Sequence, residues 1–275
     1  MSALPRVPPV PAVLRLVQTA VLGRWRATGE ELYREVARIT EAAPGRELLV
    51  SGAGGGITTE WLAVRTGAAV TGVEPLRRSV QVAEARARAL PSSVSLHYQQ
   101  GELDDLPHET AVFDAAIGEP ALSAAADPSR AVAELLRVTK PMSPVVLLQP
   151  TWTSELDDTS RELLVERLGL RPRLLVEWKQ MLRDAGAVDI QVQDWTTGAP
   201  GRGRRGPTPA MSMKLPTLTW REKMQITGRA WRQWGWREAR GAVEKEAALL
   251  RELARERSVG FALIKGVKWP HAMAS

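Results

Sequence analysis

The 275-residue chain contains no cysteine. Disulfides, iron–sulfur clusters and thiolate zinc sites are therefore excluded. Histidine is scarce as well: His97, His108 and His271 are scattered, so no histidine metal site, and no metal, is expected. No apolar run approaches the ~20 residues a membrane span requires. Lack of cysteine is compatible with a reducing cytoplasm, and a cytoplasmic, soluble protein is the expectation. What remains is 44% hydrophobic and 25% charged, an ordinary globular composition that can bury a core.

Charge is unevenly distributed. The formal net charge is +6, yet residues 30–195 sum to −8 while residues 196–260 sum to +8. The first 29 residues add four Arg and no acid. An acidic body with a basic appendage suits either an anionic partner or docking of the appendage on the body.

Residues 4–11 hold four prolines and cannot form a regular helix. Their proline density also argues against a transit peptide, despite the acid-free, Arg-bearing start. Val13, Leu14, Val17, Val21 and Leu22 then recur at helical spacing. A second helix is predicted to open on a Thr28–Glu31 capping box, with Leu32, Val36 and Ile39 on its buried stripe. Residues 1–45 are therefore read as an N-terminal helical flap.

From Glu47 strands and helices alternate. Short apolar strands are predicted at Glu47–Ser51, Ala68–Val73, Val94–Tyr98, Phe113–Ile117 and Pro144–Leu148, separated by helical stretches. Pro75 is placed in the first turn of a helix whose face carries Leu76, Val80, Ala83, Ala87 and Leu90. Asp127-Pro128 caps the next helix, and an amphipathic helix over Arg171–Ala185 is closed by Gly186. Val188, Ile190 and Val192 alternate with polar residues, and a last strand runs Phe261–Trp269. This pattern implies an α/β fold with a doubly wound, mostly parallel sheet. The core is assigned to residues 46–195 and 261–275, interrupted by a basic, Trp-rich, mainly helical insert at 196–260.

The first strand runs into Gly52-Ala53-Gly54-Gly55-Gly56 and then a helix. Glycines let a ligand approach the backbone, and a helix N-terminus offers unpaired N–H groups, so this turn suits a nucleotide-like ligand. Glu74, at the tip of the second strand, stands where a carboxylate can accept both ribose hydroxyls. The dinucleotide spacing needs glycine at position 57, which is Ile57; the spacing of Gly52, Gly54 and Gly56 favours S-adenosylmethionine over NAD.

Residues 47–149 resemble a class I S-adenosylmethionine-dependent methyltransferase, of the broad group that includes quinone-biosynthesis C-methyltransferases. The resemblance rests on Leu49–Gly56, Val73-Glu74-Pro75, Gly101–Pro107, Phe113–Ile117, and Asp127–Ala131 continuing to Val138-Thr139-Lys140-Pro141. It implies a seven-stranded sheet with an antiparallel last strand. It also implies that Gly52, Ala53, Gly54 and Gly56 hug the cofactor, with Glu74 and Pro75 at its ribose. By the same resemblance Glu102 and the backbone of Leu103 meet the adenine, while Gly118 and Glu119 line the space where the methyl is delivered. Three positions depart from the family. Val50 replaces the customary acid two residues before the first glycine, the Gly118–Ser123 loop lacks histidine, and Lys140-Pro141-Met142-Ser143 replaces a Lys-Pro-Gly-Gly turn.

Methyl transfer from a sulfonium is an in-line displacement that depends mainly on positioning. If a base is needed, Glu119 is the candidate. Substrate choice is assigned to the additions: the N-terminal helix, the Gln149–Leu170 segment and the insert. The insert interleaves Trp220, Trp231, Trp234 and Trp236 with Arg221, Lys223, Arg229, Arg232, Arg237 and Arg240. Such residues can wall an apolar pocket, stack bases beside phosphates, or meet a membrane interface. The leading expectation is methyl transfer to a small or lipid-like molecule. The alternatives are an RNA methyltransferase using the insert, and a non-catalytic scaffold that keeps the fold.

Overall fold

The computed structural model describes residues 30–153, 157–196, 218–256 and 258–270, which fall into two compact units. The first holds Glu30–Thr151, Pro172–Trp195 and the described part of Phe261–Ser275. The second includes Trp152–Arg171 and Thr196–Gly260. The boundaries differ from the sequence expectation at two places. Residues 30–45 group with the sheet rather than with a separate flap, because the helix α1 (Glu30–Ile39) packs Tyr33 against Trp61, ring centroids 5.7 Å apart. Residues 152–171 group with the insert. The expected helix at 13–22, the Thr28 cap and the Gly201–Gly206 linker lie outside the described residues.

The sheet unit is built on β1 (Glu47–Ser51), β2 (Ala69–Glu74), β3 (Leu96–Gln100), β4 (Ala115–Gly118), β5 (Pro144–Trp152), β6 (Ala187–Asp194) and β7 (Val259–Lys268). Their order is β3-β2-β1-β4-β5-β7-β6. The pairings among β1 to β5 are parallel, and β7 runs antiparallel to β6. The central strands are buried on both faces, which is why they read as unbroken apolar runs. Helices α2 (Ile57–Thr66), α3 (Arg77–Ala87), α4 (Pro128–Val138) and α6 (Leu175–Asp184) cover the sheet, α5 (Asp158–Leu168) belonging to the other unit. One core layer joins Leu49, Leu135, Leu147, Trp178, Leu182 and Ile264.

Local signals explain the boundaries. Asp127 caps α4 by accepting from the amides of Ser129 and Arg130, each at 3.0 Å, with Pro128 at the position where a missing N–H costs nothing. Pro75, by contrast, lies outside α3, which begins at Arg77 after the extended Leu76. The reason is Glu74: its Oε1 accepts from the Leu76 amide at 3.2 Å and holds that residue out of the helix. Leu76 is accordingly 65% exposed, not part of the buried face, which is formed by Val80 and Ala83. Strand β3 starts two residues later than expected because its register with β2 pairs Val70 with Leu96. Val188 is exposed rather than half-buried, since β6 is the edge strand and is irregular between Val188 and Gln191. The turn after α4 keeps a left-handed residue without glycine: Met142 has φ 62°.

In the second unit, α7 (Trp220–Trp234) opens on a capping box. The Thr219 hydroxyl accepts from the Glu222 amide and the Glu222 carboxylate accepts from the Thr219 amide at 2.7 Å. Gly235, with φ 76°, ends it, and α8 (Trp236–Glu256) follows. Ile226, Ala230, Ala239, Val243 and Ala247 are buried, and Lys223 reaches Glu244 across the helix pair at 2.9 Å.

Candidate functional site

Parallel strands leave their C-terminal tips at one sheet edge, and ligands of such sheets bind outside those tips. Here the tips are tied together by hydrogen bonds. The amides of Gly52 and Ala53 both donate to the Val73 carbonyl, at 2.8 and 3.1 Å. The Gly54 amide donates to Glu74 Oε2 at 2.9 Å. The Gly101 amide donates to the Glu74 carbonyl at 3.3 Å, and the Glu119 amide to the Ser51 carbonyl at 2.9 Å. The glycine turn, Glu74, the start of the Gly101–Pro107 loop and Glu119 therefore form one constellation.

Positive φ values at Gly52 (76°), Gly54 (55°) and Gly56 (82°) wind the turn tightly, which side chains other than hydrogen resist. Gly56 is also the N-cap of α2 and supplies no side-chain cap, so the first amides of that helix gain no partner from it. A Cβ on Gly52 would lie 2.9 Å from the Ala121 Cβ and 3.6 Å from the Glu119 Cβ, so the loop after β4 closes directly over the turn.

Two glycines and a tyrosine explain each other. A Cβ at Gly72 would meet the Tyr98 ring at 2.7 Å, and one at Gly56 would strike the same ring. The Tyr98 hydroxyl shares a 2.6 Å hydrogen bond with Thr59 and donates to the Gly56 carbonyl at 3.2 Å. Burial holds the Tyr98 phenol above its usual range. Gly56 thus makes room for Tyr98 beneath the turn. Gly118 is similar: a Cβ there would meet Leu122, Leu135 and Leu147 at 2.9–3.0 Å, so a side chain at this position would run into the core. Its carbonyl accepts from Gln149 Nε2 at 2.9 Å, as does that of Glu119.

Glu74 and Glu119 are both buried carboxylates, 5% and 3% exposed. Glu119 Oε1 accepts from the Thr58 hydroxyl on α2 at 2.6 Å. Glu102 is exposed, Leu103 is buried in the core layer, and the Pro75 carbonyl accepts from Gln100 at 3.2 Å. The loop carrying Glu102 and Leu103 is anchored from α4. Glu134 Oε2 accepts from the Leu106 amide at 2.8 Å, and Arg137 donates to the carbonyls of His108 and Leu106 at 2.8 and 3.1 Å.

Thr58, Gln149, Ser51 and Tyr98 escaped the sequence reading. A polar residue ending the apolar run of β5 was the one available signal, for Gln149. Ser51 Oγ and Gln149 Oε1 are buried, and among the described residues neither has a hydrogen-bond partner. Orphaned polar atoms at the strand tips mark a place that a polar ligand or ordered water completes.

A sequence profile described as a methyltransferase domain matches residues 49–147. Those residues are thus similar to a methyltransferase domain, of the S-adenosylmethionine-dependent kind that the sequence resembles. The chain is 32% identical over 155 residues to a ubiquinone biosynthesis O-methyltransferase of Alkalilimnicola ehrlichii, covering 54% of this chain and 59% of that one. It is 33% identical over 120 residues to the O-methyltransferase cnsE of Penicillium expansum, covering 43% of each. The chain thus spans about half the length of these curated relatives. Among solved structures, the [4+2]-cyclase SpnF matches with a TM-score of 0.64 at 21% identity, over 87% of this chain and 80% of that one, a likeness of fold. Among the described residues no helix is long and apolar enough to cross a membrane.

The methyltransferase domain's own residues fit an adenosyl sulfonium. They offer a glycine turn at the tip of β1, an uncapped helix N-terminus, a buried carboxylate at the tip of β2, and orphaned polar atoms at the tips of β1 and β5.

Proposed function

We propose that this protein transfers the methyl group of S-adenosylmethionine to a small or lipid-like molecule. The observation that carries the reading is the bond from the Gly54 amide to Glu74 Oε2, which fixes a ribose-binding carboxylate against the glycine turn. When bound, the cofactor supplies an electrophilic methyl on a sulfonium whose departure needs no acid. The protein's task is then to hold two reactants in line and exclude water.

In this reading Glu74 accepts the ribose hydroxyls while the amides of Gly54 and Leu76 pin its orientation. The uncapped N-terminus of α2 faces the carboxylate of the amino-acid end. The ammonium of that end meets Glu119. Val50 is fully buried and offers no charge, whereas Glu119 emerges from the neighbouring strand beside Gly52, with Thr58 holding one oxygen. A carboxylate from β4 thus replaces the one missing from β1, and Glu119 acts by electrostatics rather than as a base. Gln149, bonded to the Gly118 and Glu119 carbonyls, fixes that loop and presents Oε1 to the acceptor's side.

The oxygen or carbon accepting the methyl belongs to a small molecule, a reading supported by the O-methyltransferase relatives. Transfer of labelled methyl to phenolic and prenylated-quinol acceptors tests it; binding of cofactor with no transfer to any small-molecule acceptor would contradict it. A second reading, a fold retained for other work, is favoured by the likeness to a cyclase and by Val50. One turnover of labelled methyl eliminates it.

A further inference from the structure

The second unit carries a helix pair rich in Trp and Arg. Its sequence pattern is mixed, but its three-dimensional pattern is segregated. At about 100° per residue, Trp220, Met224 and Trp231 fall within an arc of about 40° on α7. All three are exposed, at 73%, 41% and 55%. The buried side of the same helix, Ile226, Thr227 and Ala230, lies to one flank. On the other flank Arg221 is exposed about 80° from the stripe's centre, while the exposed Arg229 lies about 160° from it, and among the described residues neither makes an ion pair. Gly228 interrupts the stripe, and a Cβ there would meet nothing within 4 Å. Trp236, 41% exposed at the start of α8, extends the stripe by packing edge-on against Trp231, with centroids 6.4 Å apart.

We propose that this face of α7 docks the protein on an anionic lipid surface. Three large apolar side chains in one solvent-facing stripe are what a soluble helix avoids and an interfacial helix requires. Tryptophan is the residue best suited to the headgroup boundary, with an apolar ring and one polar N–H. Residues 219–241 carry six Lys or Arg against two Glu, a charge complementary to anionic headgroups. Alternation of rings with cations would suit a nucleic-acid strand, whose bases and phosphates alternate. Here Arg221 stands beside the apolar stripe rather than within it, and Met224 between two indoles offers no ring to stack. A 15-residue helix with this charge lies along a surface and does not span it.

Co-sedimentation of the full chain with vesicles tests the assignment. Binding is expected to phosphatidylcholine vesicles containing about one-third phosphatidylglycerol, to weaken with salt, and to be far weaker on pure phosphatidylcholine. W220S/W231S should weaken it about tenfold or more, and R221Q about fivefold. Brominated lipid should quench wild-type fluorescence more than that of W220S/W231S. Unchanged circular dichroism and melting temperature show that the variants fold. The proposal is overturned if the protein ignores anionic vesicles, or if both variants bind them as the wild type does. It is equally overturned if W220S/W231S abolishes only self-association, or if R221Q abolishes only RNA binding.

Discussion

Glu119 and Thr58 come from segments 61 residues apart, yet the Thr58 hydroxyl donates to Glu119 Oε1 at 2.6 Å inside the domain. This short hydrogen bond fixes the Glu119 carboxyl just past the tip of β4, beside the glycine turn. At the position on β1 where the family resemblance leads one to expect an acid, this chain has a buried valine.

The exchange of acids has a measurable signature. E119Q is expected to weaken S-adenosylmethionine binding about tenfold or more, the scale of a charge-assisted contact. Its affinity for 5′-methylthioadenosine, which lacks the amino-acid end, should stay unchanged. V50D/E119Q should recover most of the loss by restoring a carboxylate on β1. Calorimetric titration of the three proteins with both ligands decides the matter: equal weakening towards both ligands would assign Glu119 a merely structural part.

Packing under the turn gives a second expectation. G72A places a methyl against the Tyr98 ring and the Ala53 Cβ, at 2.7 and 3.0 Å. Such overpacking should cost about 1–3 kcal/mol of stability. Because one ring causes the conflict, the penalties of G72A and Y98A should not add. Urea denaturation of the single and double variants reads the coupling.

Acid sensitivity should centre on the loop that carries Glu102 and Leu103. The hydrogen bond from Arg137 holds the Glu134 carboxyl below its ordinary range; burial opposes this, and the Leu106 amide assists it. The unfolded chain therefore takes up this proton at higher pH than the folded one. The stabilisation is complete above the ordinary carboxylate value of 4.5 and is lost as pH falls through the lower folded value. E134Q should be less stable at neutral pH and should show a shallower loss below that value. Urea midpoints across the acid range check the slope; parallel curves for the two proteins would refute it.

Much of the architecture was legible because its causes are local. The alternation of apolar runs with 3.6-period stretches gave the strand order its pieces, and Asp127-Pro128 announced its helix start. The errors arose where distant residues intervene. Pro75 looked like a helix opener until Glu74 was seen to tether the Leu76 amide. Sequence alone likewise cannot show Tyr98 packed beneath Gly56 or three leucines around Gly118. Thr58 and Ser51 gave no signal, since a single hydroxyl in a helix or strand is ordinarily a packing residue.

The most direct test of the account is calorimetric titration of the full chain with S-adenosylhomocysteine, wild type beside E74A. Removing the carboxylate takes away a charge-assisted partner of the ribose, so the account predicts saturable binding by the wild type and a loss of about tenfold to hundredfold in E74A. E74A also leaves the amides of Gly54 and Leu76 without their partner, so its melting temperature should be lower, and the comparison must be made where both proteins are folded. No heat of binding from the wild type, or equal affinity in folded E74A, would contradict the claim that the glycine turn and Glu74 together hold an adenosyl group.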